Sequence, residues 1–202
     1  MRLDDLTVPD TAVARRAYEV ADSFCSPALR NHCARSYLWA TALATLEGTT
    51  VDAELLYVAA MLHDLGLVPT FDHPSTSFEQ VGGTLATLFA AGAGWSVERR
   101  IRLDEVIVRH MGWGGDPAED PEGHLLERAT TIDVSGGGVE LMPVALRTDV
   151  LARWPRLCFA AEFAELFRAQ VARGPDLSAG RAVARGALER MAANPLDAPV
   201  QT

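Results

Sequence analysis

The chain has 202 residues, of which 49% are apolar, and a formal net charge of −9. This composition excludes a disordered chain, and because no apolar run reaches the roughly 18 residues that a membrane span needs, it also excludes a membrane-spanning protein. The acidic charge and the lack of arginine clusters larger than short pairs argue against nucleic acid as the main partner. The polar N-terminus does not resemble a signal peptide. We therefore expect a cytoplasmic protein of one domain over residues 1–202, with its core at 10–193 and a short flexible C-terminal tail.

Apolar residues recur at helical spacing along the chain, without convincing β alternation, so we expect an all-α fold. The first three helices are expected over residues 10–25, 27–48 and 52–66. Asp10 and Asp52 are candidate N-caps, whereas Gly48 and Gly66 are typical of helix ends.

Two longer and four shorter helices are expected in the rest of the chain. The fourth helix begins near residues 75–77, where Glu79 resembles part of a capping arrangement. The fifth begins at Ser96 and ends at His110. The Gly-, Pro- and acid-rich segment that follows, 112–123, is expected to be a loop. Shorter helices are expected over residues 123–133, 139–152, 156–172 and 179–192.

A His-Asp pair, His63-Asp64, closes the apolar run AELLYVAAMLHDLG. A buried charge is costly unless it is paired or holds a metal. Other candidate ligands, His32, His110 and Asp133, lie on both sides of this pair. Imidazole and carboxylate donors suit zinc or another divalent first-row metal, such as iron or manganese. Because no short helical segment can surround an ion alone, we expect donors from several helices to converge and leave positions open for water, as a catalytic site requires.

The order His32, His63-Asp64, Asp133 resembles that of the HD-domain superfamily, all-helical metal enzymes named for the His-Asp pair. Within that superfamily the chain resembles the cyanamide hydratases, which add water to the nitrile of cyanamide, giving urea, at a single metal ion. The resemblance covers roughly residues 25–170. The segments that carry it are NHCARSY, MLHDLG, SFEQVGG, VIVRH, TIDVSG and the WPR…F…F run that begins at Trp154.

This resemblance implies a single HD-domain helical bundle with a metal site in its core. The implied ligands of one divalent ion, zinc first and iron or manganese as alternatives, are His32, His63, Asp64 and Asp133. The expected partner is a small-molecule substrate, and a homo-oligomer is an open alternative.

Six further residues are candidates for chemistry or substrate binding. The candidate catalytic groups are Glu79, His110 and His73, and the candidate substrate-binding residues are Arg35, Phe78 and Trp113. Each also has an ordinary structural interpretation. His110 can face the dipole at its helix end, Glu79 can cap its own helix, and His73 can face solvent from a loop between two prolines.

Two other functions remain open. One is hydrolysis of a nucleotide or small phosphoester, the commonest HD-domain chemistry. Leu67 argues against it, because many HD phosphohydrolases have a lysine there that helps to neutralise phosphate, and Arg35 and Arg109 are the nearby cations in sequence. A second metal site lacks its usual histidine before Glu79, although His73 and His110 could complete one. The other alternative is a degenerate HD fold that acts as a ligand-binding or interaction module.

Overall fold

The computed structural model describes residues 1–112 and 116–198. Over these ranges the chain is all-α, without a strand, which confirms the expected fold class. No described helix is long and apolar enough to cross a lipid bilayer. The helices are α1 Ala12–Phe24, α2 Pro27–Glu47, α3 Ala53–Leu62, α4 Phe78–Gly92, α5 Val97–Arg109, α6 Pro121–Ser135, α7 Val144–Arg153, α8 Phe159–Arg173, α9 Ser178–Ala184 and α10 Ala187–Ala192.

Several of the predicted start and stop signals are confirmed, but the capping arrangement expected around Glu79 is not formed, because no side chain caps α4 at Ser77. The side chains of Asp52 and Ser96 accept hydrogen bonds from backbone amides three residues on. Gly48, at φ +67°, ends α2 in the left-handed conformation. The predicted cap of α1 is wrong: Thr11 accepts the amide of Ala14, whereas Asp10 pairs with an arginine side chain. Thr11 caps the helix because it directly precedes the first helical turn.

Several predicted helices differ from the structure in their bounds. The predicted helix 139–152 begins only at Val144, as α7, after a single 3-10 turn over Val139–Leu141. α3 ends at Leu62 and not at Gly66, because the chain leaves the helical conformation at Asp64. α6 begins inside the segment predicted as a loop, since Pro121 occupies its first position, where no amide hydrogen is needed. The predicted helix 179–192 is two helices, α9 and α10, because Gly186 adopts φ +79° between them.

The buried helix α2 positions the polar core. It packs against α3, α6 and α8, and most of its residues are buried on all sides. His32 and Arg35 lie one turn apart on it, and both side chains are fully buried. α4 packs against α5, and both reach the end of α3. The end of α3 and the middle of α2 therefore meet in the interior, where polar side chains need partners.

Candidate metal centre

Three donor atoms form a small triangle in the core. Nε2 of His32, from α2, lies 3.3 Å from Nε2 of His63, at the end of α3. Oδ2 of Asp64 lies 3.3 Å from the former atom and 3.2 Å from the latter. All three side chains are at most 1% exposed. Two imidazoles and a carboxylate converging at such distances form a donor set that suits a divalent metal ion.

The carboxylate of Asp64 is buried without a hydrogen-bond donor. Neither Oδ1 nor Oδ2 accepts a hydrogen bond from any described residue. Buried polar groups are normally satisfied, and an unsatisfied charge is very costly. Burial alone would raise the pKa of Asp64, but the adjacent rings of His63 and His32 outweigh burial and lower it. The fit of the residues to a cation is therefore good, because a bound cation would satisfy these oxygens.

Each imidazole in this region is fixed through Nδ1. In His32 this atom lies 2.7 Å from Oδ2 of Asp133, and in His63 it lies 2.8 Å from the carbonyl oxygen of Ala60. A carboxylate and a carbonyl can only accept, so Nδ1 carries the hydrogen in both rings. In the neutral form of each ring, Nε2 is therefore the nitrogen that can present a lone pair to the triangle, which is the arrangement that metal-binding histidines need.

Asp133, predicted as a fourth ligand, lies outside the triangle, beyond the ring of His32. Its Oδ1 accepts hydrogen bonds from Nε of Arg35 at 2.8 Å and from Nε1 of Trp39 at 2.9 Å. Its Oδ2 accepts from Nη2 of Arg35 at 2.8 Å and from Nδ1 of His32. Four donors occupy the usual acceptor positions of one carboxylate, so the structure gives Asp133 the position of a partner to His32.

Neighbouring charged groups also shift the pKa values of Asp133 and His32. Burial would raise the pKa of Asp133, but Arg35 and His32 outweigh burial and hold it well below its usual range. For His32, burial would lower the pKa, whereas Asp133 and Asp64 outweigh burial and raise it. The carboxylate is therefore ionised, as its four donors require.

A cavity of about 220 Å³ opens from the triangle. Phe78, Phe163 and Phe167 form an aromatic wall, with rings about 5 to 6 Å apart at their centroids. One face of α6 forms a second, more polar wall. Its residues, at helical spacing, are Glu127, Thr130, Thr131, Val134 and Ser135. The space is suited to a small molecule with both apolar and polar parts.

Two of the predicted substrate or catalytic residues line this cavity: Phe78 and His110. The ring of His110 lies edge to face with that of His63, at 4.8 Å between centroids. Burial, together with His63, lowers the pKa of His110 to about 3. Its Nδ1 contacts the carbonyl oxygen of Ile107. The ring is therefore neutral at pH 7, with the lone pair of Nε2 available and no free N–H to donate.

Other predicted site residues do not line the cavity. Arg35 is fully buried, and its hydrogen bonds to Asp133 and two backbone carbonyls use four of its five N–H donors. Oε2 of Glu79 accepts a hydrogen bond of 2.6 Å from Ser178, which ties α4 to α9. His73 is exposed, and its Nδ1 accepts the amide of Ser75. Trp113 lies outside the described residues.

Several polar residues that line the cavity were not predicted from the sequence. These are Glu127 with its neighbours on α6, and Arg185 and Arg190 from the C-terminal helices. A periodicity signal existed for α6, because the polar residues Glu127, Thr130 and Thr131 recur at helical spacing on a helix whose other faces are buried. The arginines gave no such signal, since exposed arginines are common.

Comparison with known proteins is consistent with this geometry. The sequence pattern of the family described as HD domain matches residues 29–132, just over half of the chain. The chain is also 26% identical over 171 residues to the cyanamide hydratases DDI2 and DDI3 of Saccharomyces cerevisiae. Each match covers 83% of this chain and 76% of the yeast protein.

Proposed function

The chain belongs to the HD-domain family, and from that premise we propose that it is a metal-dependent hydratase which adds water to cyanamide or to a similarly small nitrile. The observation that carries the proposal is the carboxylate of Asp64, which accepts no hydrogen bond although it is buried, next to two imidazole nitrogens in the lining of a small cavity. The similarity to two yeast cyanamide hydratases supports the choice of substrate class.

We propose that His32, His63 and Asp64 hold one divalent ion. Zinc is the first choice, with iron or manganese as alternatives, because a set of two imidazoles and one carboxylate suits all three. Such an ion, when bound, acts as a Lewis acid and lowers the pKa of water from 15.7 to about 7. Asp133 would then act through His32, by fixing the tautomer and orientation of the ring.

The remaining roles follow from the side chains of the cavity. The rings of Phe78, Phe163 and Phe167 exclude bulk water and strengthen every electrostatic interaction inside. His110 is neutral, so its Nε2 can accept a hydrogen bond from an N–H of the substrate. The amino group of cyanamide offers such a hydrogen. Because the N–H of His110 is already used, the proton that the nitrile nitrogen gains would come from water.

Phosphoester hydrolysis is the competing function. The two cations that the sequence offered for it are both engaged, since Arg35 pairs with Asp133 and Arg109 pairs with Asp120. A phosphate at the triangle would therefore lack the cations that the sequence suggested. Arg185 and Arg190 line the same cavity, however. The test therefore also measures phosphoester hydrolysis.

The test is parallel turnover by protein reconstituted with zinc, manganese or iron(II). Urea formation from cyanamide is expected, with none after removal of the metal by a chelator, whereas an aryl phosphate should not be hydrolysed. His63→Ala should abolish urea formation and metal binding together. Arg16→Gln, at an exposed position on α1 outside the cavity, is the control and should keep full turnover. Full activity of chelated protein, or phosphate release without urea, would refute the proposal.

A further inference from the structure

Two arginines line the cavity on the side of the C-terminal helices. Arg185 lies in the turn between α9 and α10, and Arg190 lies on α10. Of the described residues that line the cavity, these two are the only arginines or lysines. Their neighbours on the same wall, Ala187 and Met191, are apolar and buried. The cavity therefore has one end built for a metal ion and a cationic wall that the proposed reaction does not use.

Neither of these guanidinium groups is neutralised by a carboxylate. Nη1 of Arg190 donates a hydrogen bond of 2.6 Å to the carbonyl oxygen of Arg185, which draws the two residues together across the turn. Within residues 1–112 and 116–198, neither arginine forms an ion pair. On the neighbouring helix α8, by contrast, Arg168 pairs with Glu165 and Arg173 pairs with Asp72. Apart from that one hydrogen bond, the structure shows no partner among the described residues for the charge or the other donors of the two cavity arginines.

Two carboxylates of this region do not pair with the arginines. Glu127 lines the cavity from α6, and Glu189 neighbours Arg190 on α10. Burial raises the pKa of Glu127, and His124 offsets this only in part. The two acidic residues that line the cavity lie apart from the arginines in the fold: Asp64 belongs to the triangle and Glu127 to α6, whereas both arginines share the wall of the C-terminal helices.

The size of the cavity also exceeds what cyanamide needs. Its volume of about 220 Å³ is many times what a single water needs, whereas cyanamide is only an amino group on a nitrile. A larger substrate with a second functional group would fill it better. A planar guanidinium fork is well matched to a carboxylate or a phosphate. Unpaired cations in a cleft also attract anions to it, even when the molecule as a whole is acidic.

We propose that the natural substrate is a small anion, with a carboxylate or phosphate group that binds Arg185 and Arg190. The part of the substrate that reacts at the His32, His63 and Asp64 triangle rests on the proposed function, whereas the anion contact does not. This substrate class is larger than cyanamide and carries at least one negative charge at neutral pH.

Binding measured by calorimetry tests the proposal without relying on turnover. The zinc-loaded protein is titrated, at low ionic strength, with cyanoacetate, cyanomethylphosphonate and the neutral cyanoacetamide, which share one nitrile end. We expect at least one of the two anions to bind about tenfold more tightly than the amide, because charge-assisted hydrogen bonds are the strong ones. The stronger anion identifies carboxylate or phosphate as the preferred group. Raising the salt concentration should reduce the difference.

Variants at the two arginines identify the contact. In the double variant Arg185→Gln and Arg190→Gln, the affinity for the preferred anion should fall about tenfold, while that for cyanoacetamide stays the same. Arg185→Gln alone, which leaves the Arg190 hydrogen bond to the backbone in place, should give a smaller loss in the same direction. Arg16→Gln, at an exposed position on α1 outside the cavity, removes the same charge and should change nothing.

Two results would overturn the inference: equal affinity of the wild-type protein for all three nitriles, or unchanged anion affinity in the double variant. Urea release from cyanamide, measured in parallel, separates this inference from the proposed function. Arginine-dependent anion binding without urea release would reject only the hydratase reaction. Urea release without a preference for an anion would reject only the substrate class.

Discussion

Nδ1 of His32 lies 2.7 Å from Oδ2 of Asp133, so the imidazole stands between this carboxylate and the other two donors of the metal centre. Arg35 and Trp39 hold the same carboxylate from its other sides. The result is a chain of contacts in which a fully buried ion pair fixes a histidine, and the histidine presents its free nitrogen to the site. We therefore propose that Asp133 positions His32.

Replacement of Asp133 should weaken metal binding without removing a ligand. For Asp133→Asn we expect Co²⁺ affinity to fall about 10–100-fold, as is typical when the partner of a metal-bound histidine is lost. The visible spectrum of bound Co²⁺, which reports its ligand set, should stay close to that of the wild type. Asp64→Asn should change the spectrum and lose most of the affinity, because a direct donor is removed.

A milder change controls for damage to the buried ion pair. Trp39→Phe removes one hydrogen bond to Oδ1 of Asp133 and leaves its pair with Arg35 intact. The affinity for Co²⁺ should then fall by less than in Asp133→Asn. If Asp133→Asn alters the Co²⁺ spectrum in the same way as Asp64→Asn, then Asp133 is itself a ligand and the positioning role is wrong.

The sequence was sufficient to identify the candidate donor residues. It was not sufficient to show which of them reach the triangle and which contact a neighbouring side chain instead. Helix spacing put His63 and Asp64 at the end of α3, and their burial followed from the apolar run before them. Which of its neighbours Asp133 contacts depends on how α6 is rotated against α2, and that rotation is set by packing between residues far apart in sequence. The same packing explains why Arg35, which was expected to contact the substrate, pairs with Asp133 instead.

The C-terminal wall of the cavity was the least predictable part. α9 and α10 are short helices that pack against α8, and α10 also packs against α6. Two long-range hydrogen bonds add to this packing, one from Ser178 to Glu79 and one from Asn194, just after α10, to the carbonyl oxygen of Asp133. Neither hydrogen bond leaves a periodic trace in the sequence. Arg185 and Arg190 reach the cavity because this packing holds the helices over it.

Replacement of His110 should affect the substrate and not the metal. His110→Ala removes an acceptor from the cavity, and loss of a hydrogen bond of ordinary strength corresponds to about a tenfold increase in KM for cyanamide. The zinc content should remain at the wild-type level, because the donors of His32, His63 and Asp64 are untouched. Steady-state kinetics with metal analysis checks both points, and loss of zinc would show that His110 is a ligand.

Two glycines on α4 give a matched test of the packing behind the metal centre. A Cβ at Gly82 would lie 2.5 Å from the carbonyl oxygen of His63, whereas a Cβ at Gly92 would meet no atom within 4 Å. Gly82→Ala should therefore destabilise the protein by about 1–3 kcal/mol and weaken zinc binding, because α4 must move away from His63. Gly92→Ala should be neutral or stabilising by up to about 1 kcal/mol. Urea unfolding with and without zinc measures both effects, and equal midpoints for the two variants would contradict the close approach.

Acid should destabilise the protein in part through Asp120. This buried carboxylate caps α6 by accepting the amide of Gly123, and it also accepts hydrogen bonds from Arg102 and Arg109. Burial would raise the pKa of Asp120, but the two arginines and the amide outweigh burial and lower it. A pKa lower in the folded than in the unfolded state means that the contribution is complete above the unfolded value of about 3.9 and is lost as the pH falls through the folded value.

Asp120→Asn isolates this contribution, because asparagine can still cap α6 but cannot carry the charge. At pH 7 we expect the variant to be less stable by about 1–2 kcal/mol, a modest figure because both arginines are partly exposed. The difference from the wild type should shrink as the pH is lowered from 5 towards about 2. Asp10→Asn, at an exposed position, is the control and should change the stability little at any pH. Urea unfolding across this range gives both curves, and a constant difference would mean that Asp120 does not gain its stability from ionisation.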